Sequence, residues 1–293
     1  MGLRIKFNLV MLIAFAIGLG ISYKLSQQIL IDNAKQEVEL NATLLMESAK
    51  SVRAYTAEEI RPLLNQLDSA DFLPQTVPAF AASDNLERIK STFPDYSYKE
   101  AAINPTNPSH RATDWEREVI QHFKDNKDIS EYTDVRDTPT GKSLFLSRPL
   151  TVSSTKCLVC HSTPQVAPSS MIRAYGTNNG FGWKHKEIIG AQIINVPMTV
   201  PLNRANQALK TFMFALTLVF IIIWIVLNIL LHFVVINPVK KMAENANKIS
   251  LGDLETPEFE TTGKDEIASL GNSFNRMYRS LTSAVKLLDE TQV

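Results

Sequence analysis

The chain has 293 residues, 45% of them hydrophobic and 20% charged, and its 30 Lys and Arg balance 30 Asp and Glu to a formal net charge of zero. That balance speaks against a nucleic-acid-binding surface, and no nucleic-acid partner is expected. Two cysteines exclude a multi-disulfide scaffold, a thiolate-ligated iron–sulfur cluster and a four-cysteine zinc site.

Two apolar stretches hold much of the hydrophobic content. Residues 1–6 are a short basic start with Arg4 and Lys6, and residues 7–23 (FNLVMLIAFAIGLGISY) carry no charge. At the usual helical rise they reach about 25 Å, enough to span a bilayer if flanking lysines snorkel. The run continues past Ala14-Phe15-Ala16, which imitates a signal cleavage site, so an uncleaved anchor is expected. A second span, residues 211–236, lies in an uncharged run that ends before Lys240 and Lys241. Arg4, Lys6, Lys240 and Lys241 fall on one side of the two spans, which places both termini in the cytoplasm of a two-pass protein of the bacterial inner membrane. Residues 24–210 then face the periplasm. Asn228 and His232 are the polar positions of the second span; packing near the inner interface is the plainer account of His232.

Residues 24–67 are expected to form a long helix leaving the membrane and stopping at Pro62 or soon after. Prolines punctuate the next stretch, whose best helix is 85–93 with Ser83 as its cap. A clearer helix follows at 114–126, with Thr113 as N-cap and Glu116 completing a capping box. The period then changes from 3.6 to 2. Residues 132–136, a turn at 138–141 and residues 143–152 read as a hairpin, and 187–197 as a largely buried final strand. The outer part is thus expected to be an α+β domain with an antiparallel sheet and a long N-terminal helix.

Before that final strand stands Cys157-Leu158-Val159-Cys160-His161, which matches the c-type haem attachment signature. Each thiol adds across one haem vinyl group, and the adjacent histidine can reach the iron from one face. A thioredoxin-like pair would need a βαβ setting, and zinc would need further ligands at workable spacing, so a local disulfide is the next alternative to haem. One covalent haem c per chain is expected, held by Cys157 and Cys160 with His161 as proximal iron ligand. Such attachment takes place outside the cytoplasmic membrane, in keeping with the lysine pattern. Candidates for the second axial position are His110, His122, His185, Met46, Met171, Met198 or water. Met46 leads, because a ligand on the membrane-joined helix would couple the iron to a movable element; ordinary core packing is its rival explanation. Arg53, two turns on, is placed to pair a haem propionate or to stay solvated.

Residues 237–290 carry two amphipathic helices around a polar connector. Ile236, Val239, Ala243, Ala246 and Ile249 form the first stripe. Ile267, Leu270, Phe274, Met277, Leu281, Ala284 and Leu288 form a stricter coiled-coil seam. Neither stripe can be buried within one chain, so a homodimer with a parallel four-helix coiled coil is expected.

These motifs together resemble the c-haem-containing, PAS-like periplasmic sensor domains found ahead of HAMP segments in bacterial chemoreceptors and histidine kinases. On the outer side the likeness is carried by VRAYTAEEIRPLL (52–64), VPAFAA (77–82), FPDYSYKEAAINPTNP (93–108), CLVCH (157–161) and YGTNNGFGWKHKEIIGAQIINVPM (175–198). On the inner side it is carried by Pro238, Gly252-Asp253-Leu254 and Asp265-Glu266-Ile267. The resemblance implies a PAS-like sheet holding the haem and a HAMP domain at the inner end. The expected function is a redox or small-ligand gas sensor that transmits a signal across the membrane. The chain ends at Val293 without a kinase, cyclase or methyl-accepting module, so the output is expected to pass to a separate cytoplasmic signalling protein. A membrane-anchored c-type electron carrier is the alternative. No carboxylate pair, Ser-His-Asp set or phosphate loop suggests an enzyme.

Overall fold

The computed structural model describes residues 2–67, 70–260 and 263–291. They fall into two compact units, Ser26–Leu209 and a second made of Met1–Leu25 with Lys210–Val293.

The long helix expected from the sequence is present as α1 (Leu3–Tyr55), of which the part from Ser26 onward belongs to the first unit. It buries Ala34, Val38, Ala42, Met46 and Ala49, spaced by three or four residues. Three of these are alanines, which lets the helix axis come close to what it covers. A π-helical turn, Thr56–Ile60, and the short α2 (Arg61–Leu64) extend it. The wide turn has a local cause. Pro62 offers no N–H to the carbonyl four residues back, and its ring crowds that turn. The Arg61 N–H instead reaches the Thr56 carbonyl, five residues back.

Helix α3 runs Pro78–Lys90, starting five residues before Ser83. The expected Ser83 cap is therefore corrected: Pro78, with its preset φ, opens the helix, and Ser83 Oγ is buried within it without a hydrogen-bond partner. Strand β1 (Ser97–Ala102) is missing from the sequence expectations. Its SYKEAA stretch has no clean alternation, since Glu100 is buried and Lys99 pairs with Glu116 2.7 Å away. Helix α4 (Asp114–Asp125) has the expected capping box at Thr113 and Glu116. Strands β2 (Tyr132–Thr138) and β3 (Gly141–Thr151) form the expected hairpin. The short helices α5 (Leu158–His161) and α6 (Ser169–Tyr175) precede β4 (Ile188–Pro197).

The sheet is antiparallel with order β1-β4-β3-β2, so β4, last in sequence, is central. Its two faces are covered by different helices. Leu144, Leu146, Ile194 and Val196 pack under α1 with Val38, Ala42 and Met46. Phe145, Ala191, Ile193 and Ala101 pack with Val119, Ile120 and Phe123 of α4. A strand covered on both faces has no solvent side, which is why β4 reads as an almost unbroken apolar run. Gly190 lets β1 approach closely: a Cβ there would stand 2.2 Å from the Ala101 carbonyl oxygen.

Among the described residues two helices are long and apolar enough to cross a bilayer, Leu3–Leu64 and Thr199–Ser250, the latter beginning with α7 (Thr199–Leu230), and their apolar stretches 7–23 and 211–236 belong to the other unit. Near their membrane segments Asn8 and Asn228 exchange a reciprocal pair of amide hydrogen bonds, 3.0 and 2.8 Å. Phe15 stacks on Phe220 at 4.8 Å, and that ring also lies against Gly18. A second π turn, Leu231–Ile236, contains His232 and precedes Pro238, so the same wide-turn adjustment occurs at both prolines.

Helices α8 (Asn237–Ser250) and α9 (Glu266–Thr291) follow. The connector is tied to α9. Asn275 bonds both the N–H and the C=O of Phe259, and the Tyr278 hydroxyl donates to the Leu254 carbonyl. These contacts bury Ala268, Asn275 and Tyr278, while Leu270, Met277 and Leu281 of the expected seam stay exposed. Leu288, the last seam position, lies outside the residues whose side chains are described.

Candidate functional site

Cys157 ends a short 3-10 turn that is opened by Ser154, whose Oγ accepts from the Lys156 N–H. Cys160 and His161 then lie on α5, so positions i, i+3 and i+4 bring both sulfurs and the imidazole to one side of a single turn. Both thiols are free and half-buried.

His161 is held from three sides. Its Nδ1 lies 2.8 Å from the Gly180 carbonyl oxygen and 3.4 Å from Thr106 Oγ1. Its ring stacks on Trp183 at 3.9 Å with 17° between the planes. A carbonyl only accepts, so Nδ1 must carry the proton, which leaves the Nε2 lone pair of the neutral ring free. Burial favours that neutral form by pushing the His161 pKa down, with the Gly180 carbonyl partly opposing it. The loop that supplies the carbonyl is itself fastened. Asn104 Oδ1 accepts from the Gly180 N–H and its Nδ2 donates to the Phe181 carbonyl, while the Gly182 and Trp183 N–H groups donate to Ser162 and His161. Gly180 has φ +83°, and a Cβ there would sit 2.0 Å from Thr106 Oγ1. Only glycine fits.

The end of α1 supplies the neighbouring charge. Arg53 holds both carboxylate oxygens of Glu100, which also accepts from the Tyr98 hydroxyl at 2.7 Å, and Gln192 donates to Tyr98. Burial penalises the Arg53 charge, yet Glu100, Tyr98 and the nearby Cys157 sulfur together push its pKa up. Burial, then Glu100, push the Tyr98 phenol up. Burial likewise raises the Cys160 thiol, against the opposing charge of Arg61.

Cys157, Cys160 and His161 are brought together as expected from the sequence. Met46 is 1% exposed and packs in the cluster of Val38, Leu146, Ile194 and Met198, the core setting that is the rival to iron ligation. His110 Nδ1–H donates to the Glu100 carbonyl oxygen, 3.2 Å away. His122 stacks on Tyr132 across the opposite face of the sheet, and His185 is exposed. Asn104, Thr106, Gly180 and Trp183 were not singled out by sequence reasoning. They lie within two of the motif stretches, but side chains drawn from separate loops leave no periodic trace.

Residues 28–197 match the family model described as Tll0287-like. The chain belongs to the Tll0287-like family. Beyond this Tll0287-like domain, residues 230–283 match the HAMP domain. A stretch of 121 residues is 31% identical to the methyl-accepting chemotaxis protein McpA of Bacillus subtilis (strain 168), covering 40% of this chain. The chain spans only 16% of the length of that curated relative. Among solved structures, the cyanobacterial heme-protein Tll0287 is similar with a TM-score of 0.42 and 16% identity, over 54% of this chain and 94% of that one.

Proposed function

We propose that this Tll0287-like protein is a membrane-anchored haem sensor whose outer domain carries one covalent haem c and whose HAMP domain passes the signal inward. The observation that carries this proposal is the state of His161: its Nδ1 proton is engaged by Gly180, and its free Nε2 is presented on the same turn as two free thiols. A histidine that ligates a metal through one nitrogen characteristically donates the other N–H to a carbonyl or carboxylate. The donor set therefore fits haem, with Cys157 and Cys160 as thioether anchors and His161 as proximal ligand. Bound haem supplies a reducible iron with an exchangeable coordination position.

The chain's own residues then serve to hold and to transmit. Gly180 and Trp183 keep the imidazole in one orientation. The positive charge of Arg53 and Arg61 acts on the two cysteines, and either guanidinium is suited to pair a propionate of the same group. Arg53 is also a residue of α1, so a change in its pairing with Glu100 acts on the helix that runs to Leu3. At the inner end, the exposed Leu270, Met277 and Leu281 await a second copy, giving the homodimeric four-helix bundle. HAMP stripes rich in small residues allow two packings that differ by a few kcal/mol, which is what a switch needs. The basic residues Arg4, Lys6, Lys240 and Lys241 favour the periplasmic placement of the outer domain. The match to a chemotaxis receptor favours a cytoplasmic signalling partner.

The attachment is tested by expressing wild type and the C157A/C160A double variant with a haem-maturation system. Denatured wild type should keep its haem absorbance after acid-acetone extraction, and the double variant should lose it; extractable haem in wild type would refute the thioether anchoring. Crosslinking across the seam through Phe274→Cys, with oxidised and reduced protein, separates sensor from electron carrier. Identical crosslinking in both states would leave only the carrier.

A further inference from the structure

Helix α4 lies over β1, β3 and β4 but only skirts the edge strand β2, and the overhang leaves a trough of about 340 Å³ on the face of the sheet away from α1. One wall is the α4 stripe Trp115, Glu118, Val119 and His122, at spacings i, i+3, i+4 and i+7. The other is the facing side of β2, where Tyr132, Asp134 and Arg136 alternate with outward residues. Phe145, directly opposite Asp134 in register, is the floor, within 5.5 Å of both the Trp115 and Tyr132 rings.

The polar groups are ordered along this trough. At one end the Arg136 guanidinium stacks on Trp115, 4.0 Å from the ring centre. Stacking occupies the guanidinium's flat face and leaves its N–H edge open to a carboxylate. Midway, exposed Asp134 lines one wall and exposed Glu118 the other. At the far end the His122 and Tyr132 rings lie against each other, centroids 4.4 Å apart and planes tilted by 33°. Asp134 accepts from the Tyr132 hydroxyl at one oxygen and from the Val135 N–H at the other, while among the described residues no ion pair or hydrogen bond occupies Arg136 or Glu118. A simple cation would be repelled by Arg136 and a simple anion by the two carboxylates. A ligand with both charges on adjacent atoms and an apolar tail satisfies every element of the trough.

We propose that this trough is a second ligand site, independent of the haem reading, and that it takes an α-amino acid with an apolar side chain. The carboxylate meets the edge of Arg136, the ammonium sits between Asp134 and Glu118, and the side chain lies on Phe145, Tyr132 and His122. The size is within the range of small-ligand clefts. Aromatic walls with few polar groups are the usual makeup of such sites.

The test is calorimetric titration of the full chain in detergent micelles with L-leucine, 4-methylpentanoate and isoamylamine, the last two each lacking one charge. L-leucine should bind saturably, and each analogue should bind about tenfold or more weakly, as should L-leucine to Arg136→Gln or Asp134→Asn. Asp134 is exposed and Arg136 half-buried at the edge strand, so each variant should lower the melting temperature by no more than about 2–4 °C, and the analogue series needs no variant at all. The proposal is overturned by any of three results: no saturation with L-leucine up to about 10 mM, equal binding of isoamylamine, or undiminished binding to both variants. Protection of the trough that rises with protein concentration would instead assign it to a second copy and would also overturn it.

Discussion

Replacing Arg53 and Glu100 separately and together tests how the end of α1 is held to the sheet. The Glu100 side chain is only 2% exposed and the Arg53 side chain 29%. Arg53→Met leaves an almost fully buried carboxylate with Tyr98 as its remaining donor. Breaking a buried pair from one side costs about 3–5 kcal/mol, and the retained Tyr98 bond favours the lower end, about 3 kcal/mol. Glu100→Gln keeps hydrogen-bonding atoms in place, and the guanidinium it leaves behind can reach water, so its cost should be about 1–2 kcal/mol. The double change to methionine removes both charges and should lie within about 1 kcal/mol of wild type. For a unit of this size 1 kcal/mol shifts the melting temperature by about 2–4 °C, so Arg53→Met should lower it by roughly 6–12 °C. Thermal melts of the full chain followed by tryptophan fluorescence would report this through Trp115 and Trp183. If Glu100→Gln costs as much as Arg53→Met, or the double variant is the least stable, the assigned asymmetry of burial is refuted.

Other outcomes follow from the same structure. Met46→Ala should destabilise the outer unit by about 2–5 kcal/mol, as for a truncated core side chain, while leaving the haem absorbance spectrum unchanged; a changed axial-ligand spectrum would return Met46 to the iron. Gly180→Ala combines a left-handed φ with a Cβ 2.0 Å from Thr106 Oγ1, so it should cost at least about 1–3 kcal/mol and, under the proposed ligation by His161, shift the electron paramagnetic resonance signal of the iron. Replacing Asn8 or Asn228 with leucine should each weaken the helix pair by about 0.6–1.7 kcal/mol, with little further loss in the double variant, as judged by a double-mutant cycle on thermal melts. Arg148 holds the Glu47 pKa below its usual value through a hydrogen bond first and charge second. A depressed carboxylate adds stability above its unfolded pKa and loses it as pH falls through the folded value. Arg148→Met should therefore flatten the acid limb of the stability curve below about pH 4.5 and leave its shape near neutrality unchanged.

Much of the architecture follows from local pattern. The apolar runs at 7–23 and 211–236, the capping box of α4, the change of period into the β2–β3 hairpin and the buried run of β4 each state their structure within a few neighbouring residues. The attachment motif is equally local, because one helical turn suffices to bring Cys157, Cys160 and His161 to one side. Strand β1 escapes for the opposite reason. Its Glu100 is buried only because Arg53, 47 residues earlier, comes to meet it, and no short window contains that fact.

What the sequence determined by itself is therefore whatever a few consecutive residues can enforce: spans, helices, hairpin and the three donors of the haem motif. Tertiary structure alone decided which nitrogen of His161 is free, that Met46 is packed in the core, and that β2 overhangs α4 to leave an aromatic trough. Each of these depends on groups far apart in the chain meeting at hydrogen-bond or van der Waals distance, and such meetings are set by the packing of the whole domain.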